Sequence, residues 1–419
     1  MEPKQIGEYK FYNHCRSCKS KKIIKVINLG LVPLAGGFLR KSSELKKEKF
    51  YPLELVFCTS CFLLQTNAVV DADILFKDYF YHSSAIKTLV QHFEKIASNF
   101  EIMFKNPKNK FIVEIGCNDG SLIKVLRKRG FKALGIDPAT NIVKPLIKKG
   151  LPIINNYFSR TLAKKIAEKY GKADIVFSSN TLAHIENISD IFDGVKILLS
   201  ENGVLIFEVH YLGNLLSGMQ FDMIYHEHQY YYSFLSAKNL LLQSGLEIYD
   251  AQLISMHAGS IRFYVQHVGG KIKLNTRAKK LEEIELKKRF HKISTYKTYN
   301  KKIVKAKNDL LQLVKILQSK NKTIAGYGAS GRGTILSNFC GLDTSILRYV
   351  IDDAPAKQFT LMPGTHVPIT SSNILYTKQK VDYVILFAWS FYNEIRKKHM
   401  KFVSNGGKFV IPLPFVKVI

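Results

Sequence analysis

Apolar positions along the chain change period several times. Near-continuous apolar runs occupy residues 110–115, 133–137, 173–177 and 204–209, each short enough for a strand buried on both faces. Between the first two, residues 122–129 carry a helical pattern. Ahead of them, Ile86, Leu89, Val90, Phe93, Ile96, Ala97 and Phe100 recur at helical spacing across residues 84–104. Strands alternating with helices predict a doubly wound parallel sheet, which binds ligands at the carboxyl ends of its strands. Those ends carry Glu114, Asp137, residues 178–180 and Glu208. Residues 275–321 hold neither Gly nor Pro and predict long helices bridging domains. A second strand, glycine-rich loop and helix opens at residues 323–333, with further strands over 347–352 and 381–387. The first eighty-odd residues instead alternate short apolar runs with Gly and Pro turns.

The expected architecture is therefore α/β in three parts. Residues 1–83 form a small metal-stabilised module, 84–270 a Rossmann-like domain, and 271–419 a helical bridge with a second Rossmann-like domain. A length of 419 residues suits such a division. Mean hydropathy is −0.03, no apolar run approaches a membrane span, and the polar start lacks a secretory core, so a cytoplasmic protein is expected. The net charge of +29 would attract polyanions, yet the excess Lys is spread along the whole chain. No nucleic-acid-binding motif accompanies it, so nucleic acid is not expected as a partner.

Four of the six cysteines form two pairs, Cys15/Cys18 and Cys58/Cys61, each C-x-x-C. Two such turns give one tetrahedral ion four thiolates and leave no open position, so the pattern predicts a closed structural zinc site. The 39 residues between the pairs leave room for a small sheet. Cys117 and Cys340 read as packing residues.

Gly116 lets a ligand approach the end of the first strand, and Asn118, Asp119 and Gly120 can turn the chain into the following helix. Asp137, twenty-one residues after Gly116, ends the second strand, where a carboxylate can accept both ribose hydroxyls of an adenosine. The loop lacks the G-x-G-x-x-G glycines of a pyrophosphate binder, which favours S-adenosylmethionine over a dinucleotide. Pro138 and Asn180 flank the same strand ends. Downstream, Tyr225, His226, Glu227 and His228 concentrate proton-transferring groups, followed by Tyr230, Tyr231 and Tyr232. His226 and His228 would share a face in extended backbone, so metal binding is a rival reading there. His184 follows the third strand, where a methyl acceptor should lie. The loop over residues 326–333 could cradle phosphate with Arg332 adding charge, or simply be a tight strand-to-helix turn.

Taken in order, these features resemble the sugar C-methyltransferase family, whose members methylate nucleotide-linked 4-keto-deoxysugars. The likeness spans nearly the whole chain. It includes both cysteine pairs, residues 33–35, the tract 78–84, residues 114–120, 135–139 and 221–228. It continues through 259–262, 326–329, 352–358, 363–369, Ala388 and Trp389. Ala258, Phe80 and His226 depart from the family pattern. The resemblance implies a zinc module, a central class I methyltransferase domain using S-adenosylmethionine, and a carboxyl-terminal domain that helps hold the nucleotide sugar. It implies His228 as the base, with Tyr225, Glu227, His184 and Tyr79 around it. Tyr81, Ser83, Ser260, Arg262, Tyr327, Gly328, Arg332, Lys357 and His366 are expected at the substrate. Imidazole suits the abstraction of a proton beside a ketone at neutral pH. Two other readings remain open at this level: O- or N-methylation of a sugar, and a catalytically silent zinc-containing scaffold or RNA-binding protein.

Overall fold

A computed structural model describes the whole chain apart from Met1, Lys41, Asp78, Phe80, Tyr81, Lys105, His257 and Ala258. The expected substrate residue Tyr81 thus lies outside the described residues. Strands β1 (Lys4–Ile6), β2 (Tyr9–Phe11), β3 (Ile23–Pro33), β4 (Phe50–Cys58), β5 (Leu64–Thr66) and β6 (Ala68–Val70) build the amino-terminal part. The first part of β4 alternates, burying Tyr51, Leu53 and Leu55 and leaving the positions between them less buried, the mark of a sheet with one dry face.

The central sheet contains β7 (Phe111–Ile115), β8 (Lys132–Ile136), β9 (Ile153–Ile154), β10 (Ala173–Ser179) and β11 (Leu199–His210), all parallel. The short β12 (Tyr230–Tyr231) leaves this sheet altogether. It pairs antiparallel with β5, Tyr230 opposite Gln65, and so completes the amino-terminal sheet in the order β12-β5-β4-β3. The chain then returns as an antiparallel pair, β13 (Leu246–Ile254) and β14 (Ser260–His267), alongside β11. The full order is β13-β14-β11-β10-β7-β8-β9. Its reversal falls between β7 and β10, so the loops after these two strands open a crevice between them. All five residues of β7 are buried, as their apolar run requires.

The charged segment after residue 275 forms two helices, Thr276–Lys287 and the 27-residue Ile293–Ser319. The longer one buries Tyr296, Tyr299, Ile303, Ala306, Leu310, Val314 and Leu317, in one core with Leu53, Leu55 and Phe57 of β4 and Ile335 and Leu336 of the last domain. The carboxyl-terminal sheet comprises β15 (Ile324–Tyr327), β16 (Val350–Ile351), β17 (Ile369–Thr370), β18 (Tyr383–Leu386), β19 (Lys408–Ile411) and β20 (Lys417–Val418). They are ordered β17-β16-β15-β18-β19-β20, parallel except for β20. Among the described residues no helix is long and apolar enough to cross a membrane.

Candidate active site and zinc centre

The Sγ atoms of Cys15, Cys18, Cys58 and Cys61 all lie within 4.8 Å of one another, with two pairs at 3.6 Å. Four thiolates about 2.3 Å from a tetrahedral ion would stand roughly 3.8 Å apart, so the cluster fits zinc. Each knuckle closes by a backbone bond back to its first cysteine: Lys19 N–H donates to Cys15 O and Phe62 N–H to Cys58 O, with Lys19 and Phe62 both at positive φ. Gln65 donates its side-chain N–H to Cys15 Sγ at 3.0 Å, an outer contact that orients the ligand.

A cleft of about 1200 Å³ runs between the three parts of the molecule. On one wall lies the loop after β7. Gly116 has φ +77°, and a Cβ there would stand 2.0 Å from Thr181 Oγ1, so only glycine fits. The Glu114 carboxylate is buried in the cleft wall with Oε2 lacking a hydrogen-bond partner among the described residues, and burial followed by the charges of Asp137 and Asp119 pushes its pKa well up. Burial also raises Asp137, although its carboxylate accepts from the backbone N–H groups of Asn118 (2.8 Å) and Ala139 (2.9 Å). Neither acid forms an ion pair among the described residues. Two under-compensated carboxylates at the strand ends fit a cationic, hydroxyl-bearing ligand such as S-adenosylmethionine. Pro138, Asn180 and Asn118 also line the cleft.

Asn118 and Asp119 have a further task. Their side chains accept from the backbone N–H groups of Ser83 (2.9 Å) and Ser84 (2.8 Å), fastening the preceding segment over the loop. Burial works to raise Asp119, but hydrogen bonds from Ser121 and Ser84 outweigh it and hold the carboxyl below its ordinary value. Gly120 starts the helix Ser121–Lys128 at φ +66°.

Opposite this wall, His228 N–H donates to Tyr225 O at 2.9 Å, closing a turn rather than an extended strand. The turn brings the Tyr225 and His228 rings to 3.9 Å between centroids, and His184 lies 5.1 Å from His228. Phe76 stacks on His184 at 5.7 Å and meets Tyr79 at 5.9 Å, completing a row of rings along the cleft. The backbone of Tyr79 is held by the Asn141 side chain, at 3.2 Å and 2.8 Å. His228 Nδ1 lies 2.9 Å from Met223 O. A carbonyl only accepts, so Nδ1 carries the proton of the neutral ring and the lone pair sits on Nε2. Tyr225 is raised well above its ordinary pKa by burial and then by Glu227, and stays a protonated donor. Burial pushes Glu227 up to about 7. His226 turns away beneath Tyr51, 5.7 Å between rings, with both ring nitrogens buried and without hydrogen-bond partners among the described residues. It shares no metal site with His228, because the turn separates the two side chains; among the described residues only the four cysteines are grouped to hold an ion.

Of the other expected substrate residues, Ser83 and Lys357 line the cleft, with Lys357 Nζ donating to Ala329 O at 2.6 Å. Several do not. Arg332 faces Asp222, with Nε and Nη2 both 2.9 Å from Oδ2, while Trp389 Nε1–H donates to the same oxygen at 2.8 Å. Arg262 pairs with Glu208 at 2.6 Å, and His366 with Glu48 at 2.7 Å. All three partners are buried carboxylates, and a buried carboxylate needs a cation or donors. Ser260 is fully buried and donates to Met256 O. Tyr327 donates to Asp353 at 2.6 Å on the far side of the last sheet. At Gly328 (φ +102°) a Cβ would meet that of Ala388 at 2.7 Å, so this position of the second glycine loop takes only glycine, while Ser330 and Gly331 of the same loop line the cleft.

Sequence reasoning missed Phe76 and Asn141, which carry no motif of their own. It also missed Arg16, between Cys15 and Cys18, whose guanidinium reaches Gln229 at 2.6 Å.

Family models match along the chain in order: "Putative zinc binding domain" over residues 15–76, "Methyltransferase domain" over 89–251, and "C-methyltransferase C-terminal domain" over 255–414. The chain is 30% identical over 407 residues to C-methyltransferase NovU of Streptomyces niveus, covering 97% of each. A 100-residue stretch is 29% identical to the ubiquinone biosynthesis O-methyltransferase of Colwellia psychrerythraea, covering 23% of this chain and 40% of that protein. Among solved structures, an S-adenosylmethionine-dependent methyltransferase from Clostridium acetobutylicum matches with a TM-score of 0.34 at 14% identity, over 42% of this chain and 92% of that one. The chain belongs to the C-methyltransferase family, as an S-adenosylmethionine-dependent enzyme with a zinc-binding amino-terminal domain.

Proposed function

We propose that the protein methylates a nucleotide-linked 4-keto-deoxysugar at the carbon beside the ketone, with His228 as the base. The observation that carries the reading is the Nδ1 contact of His228 to Met223 O, which directs the ring's lone pair to Nε2 within the same cleft as Glu114 and Gly116. His228 Nε2 takes the proton from the carbon acid, and the electrons of that C–H bond pass into the enolate. Tyr225, kept protonated, His184 and Tyr79 supply donors to the oxyanion as charge builds there. Glu114, Asp137 and Asn180 hold S-adenosylmethionine, which supplies an electrophilic methyl on a sulfonium. Glu227, poised near neutrality, orients its neighbours and exchanges the proton onward.

Ser83 and Lys357 form the sugar and phosphate side of the cleft. Arg332, Arg262 and His366 belong to the scaffold instead. The working units correspond to residues 1–83, 84–270 and 271–419, in a protein acting on a small cytoplasmic metabolite and not on nucleic acid.

Incubation with S-adenosylmethionine and a panel of nucleotide-linked 4-keto sugars, with NMR location of the new methyl, tests the substrate class. A methyl on oxygen or nitrogen would overturn it. Deuterium exchange from solvent at the carbon beside the ketone tests the base: His228→Ala should abolish exchange, and normal exchange in that variant refutes the assignment.

A further inference from the structure

We propose that Arg16, inside the first cysteine knuckle, is a positioning residue that sets the orientation of both His228 and His184. This rests on the reading of His228 as the base. Arg16 is 1% exposed. Its Nη1 donates to Gln229 Oε1 at 2.6 Å, and its Nη2 to Gln229 O at 2.9 Å and Thr66 O at 3.1 Å. The guanidinium carbon lies 4.3 Å from the centre of the Tyr230 ring.

The two residues that directly follow His228 are thus held by one planar cation. Gln229 passes the restraint on: its Nε2–H donates to His184 O at 2.9 Å and its backbone N–H to Ala183 O at 2.8 Å. His228 directly precedes Gln229, which Arg16 grips, and His184 is the residue whose carbonyl Gln229 grips in turn.

The acceptors themselves argue for a role beyond packing. Among the described residues Arg16 forms no ion pair; it is stabilised by neutral oxygens and a ring face. Burying a guanidinium on such terms is unfavourable compared with an apolar side chain of similar volume. Nor does a C-x-x-C turn need arginine to hold zinc. What the fork geometry provides is two bonds of fixed direction to a single residue, Gln229, beside the base. Lysine, a flexible point charge, cannot make the same pair.

The test uses the full zinc-loaded chain. Arg16→Lys should keep its zinc content and its affinity for S-adenosylhomocysteine. Its kcat on a panel sugar that the wild type turns over should fall about 100-fold, the scale of a misplacement near 1 Å. In protein labelled with ¹⁵N-histidine, the His228 ring signals should move away from the Nδ1-protonated pattern. In a His228→Ala background, Arg16→Lys should slow residual turnover by much less than about 100-fold, since the share of its effect that runs through the His228 ring is gone and only the share through His184 is left. Unchanged ring signals, or a kcat within about twofold of wild type, would overturn the proposal; so would an equal additional loss in the His228→Ala background. If Arg16→Lys does not fold, Gln229→Met, which leaves the guanidinium and its backbone contacts, is judged by the same ring signals and kcat. Retained deuterium exchange in His228→Ala brings down the base assignment. Loss of exchange there, with undisturbed ring signals in Arg16→Lys, brings down the positioning role alone.

Discussion

Replacing Arg332 with methionine should destabilise the protein by about 3 to 5 kcal/mol, the usual effect of stranding one partner of a buried ion pair. Asp222 is 0% exposed, and its Oδ2 receives Arg332 Nε at 2.9 Å and Trp389 Nε1–H at 2.8 Å. Burial already raises the Asp222 pKa against the pull of Arg332, so removing the guanidinium raises it further. A carboxyl whose folded pKa lies above its unfolded value binds more protons in the folded state between the two. Stability therefore falls as pH rises through that window, and the variant's deficit should be larger at pH 8 than at pH 5. A loss of this size is a large fraction of the roughly 5 to 15 kcal/mol that holds a domain together.

Urea unfolding can be followed through Trp389, the only tryptophan in the chain, whose ring centre lies 4.8 Å from the Arg332 guanidinium carbon. Adding Asp222→Asn to Arg332→Met should restore much of the stability, because the stranded charge is gone while the amide oxygen can still accept from Trp389. If Arg332→Met costs less than about 1 kcal/mol while the KM for the sugar substrate rises, the guanidinium serves a substrate anion and the structural argument is wrong.

Two further outcomes follow from the site's surroundings. His226 has its pKa lowered to about 4 by burial, against 6.5 for an ordinary histidine, so between those values the unfolded chain takes up the proton first. Stability should rise with pH across that window by about 3 kcal/mol in all, and a His226→Phe variant with the same slope in denaturation at pH 5 and 7 would contradict this. Gly116→Ala should weaken S-adenosylhomocysteine binding at least about 10-fold, since left-handed backbone alone costs a β-carbon roughly 1 to 2 kcal/mol. Thr181→Gly should recover only part of that loss in calorimetry, because it relieves the 2.0 Å clash but leaves φ at +77°; full recovery would show that backbone strain plays no part.

Where local chemistry determines structure, the sequence was readable. Residues 111–115 and 173–177 are apolar apart from Glu114 and Asp174 because both faces of β7 and β10 are covered, and the paired C-x-x-C turns fix their own geometry through residues only three apart. The expected substrate residues that the structure places away from the cleft share one feature. Arg332, Arg262 and His366 sit in plausible ligand-binding tracts, yet their partners Asp222, Glu208 and Glu48 are 110, 54 and 318 positions away. Nothing local marks a carboxylate that folding will bury. The antiparallel return of β13 and β14 was equally hidden, since strand direction and pairing partner are set by the whole sheet and not by the local pattern. The ring row was half visible: the motif at residues 225–228 stood out, whereas Phe76 looks like any apolar residue until it stacks on His184.

The strand exchange at β12 has a consequence for biosynthesis. On the ribosome, the cysteine turns and β3 to β5 emerge early, but Leu64 waits for Tyr231. At bacterial or eukaryotic elongation rates of about 5 to 20 residues per second, the interval is on the order of ten seconds or more. Throughout it β5 presents an unpaired rim able to recruit a stray strand from another nascent chain. Early capture of zinc would restrict the motions of that half-built sheet until its last member arrives.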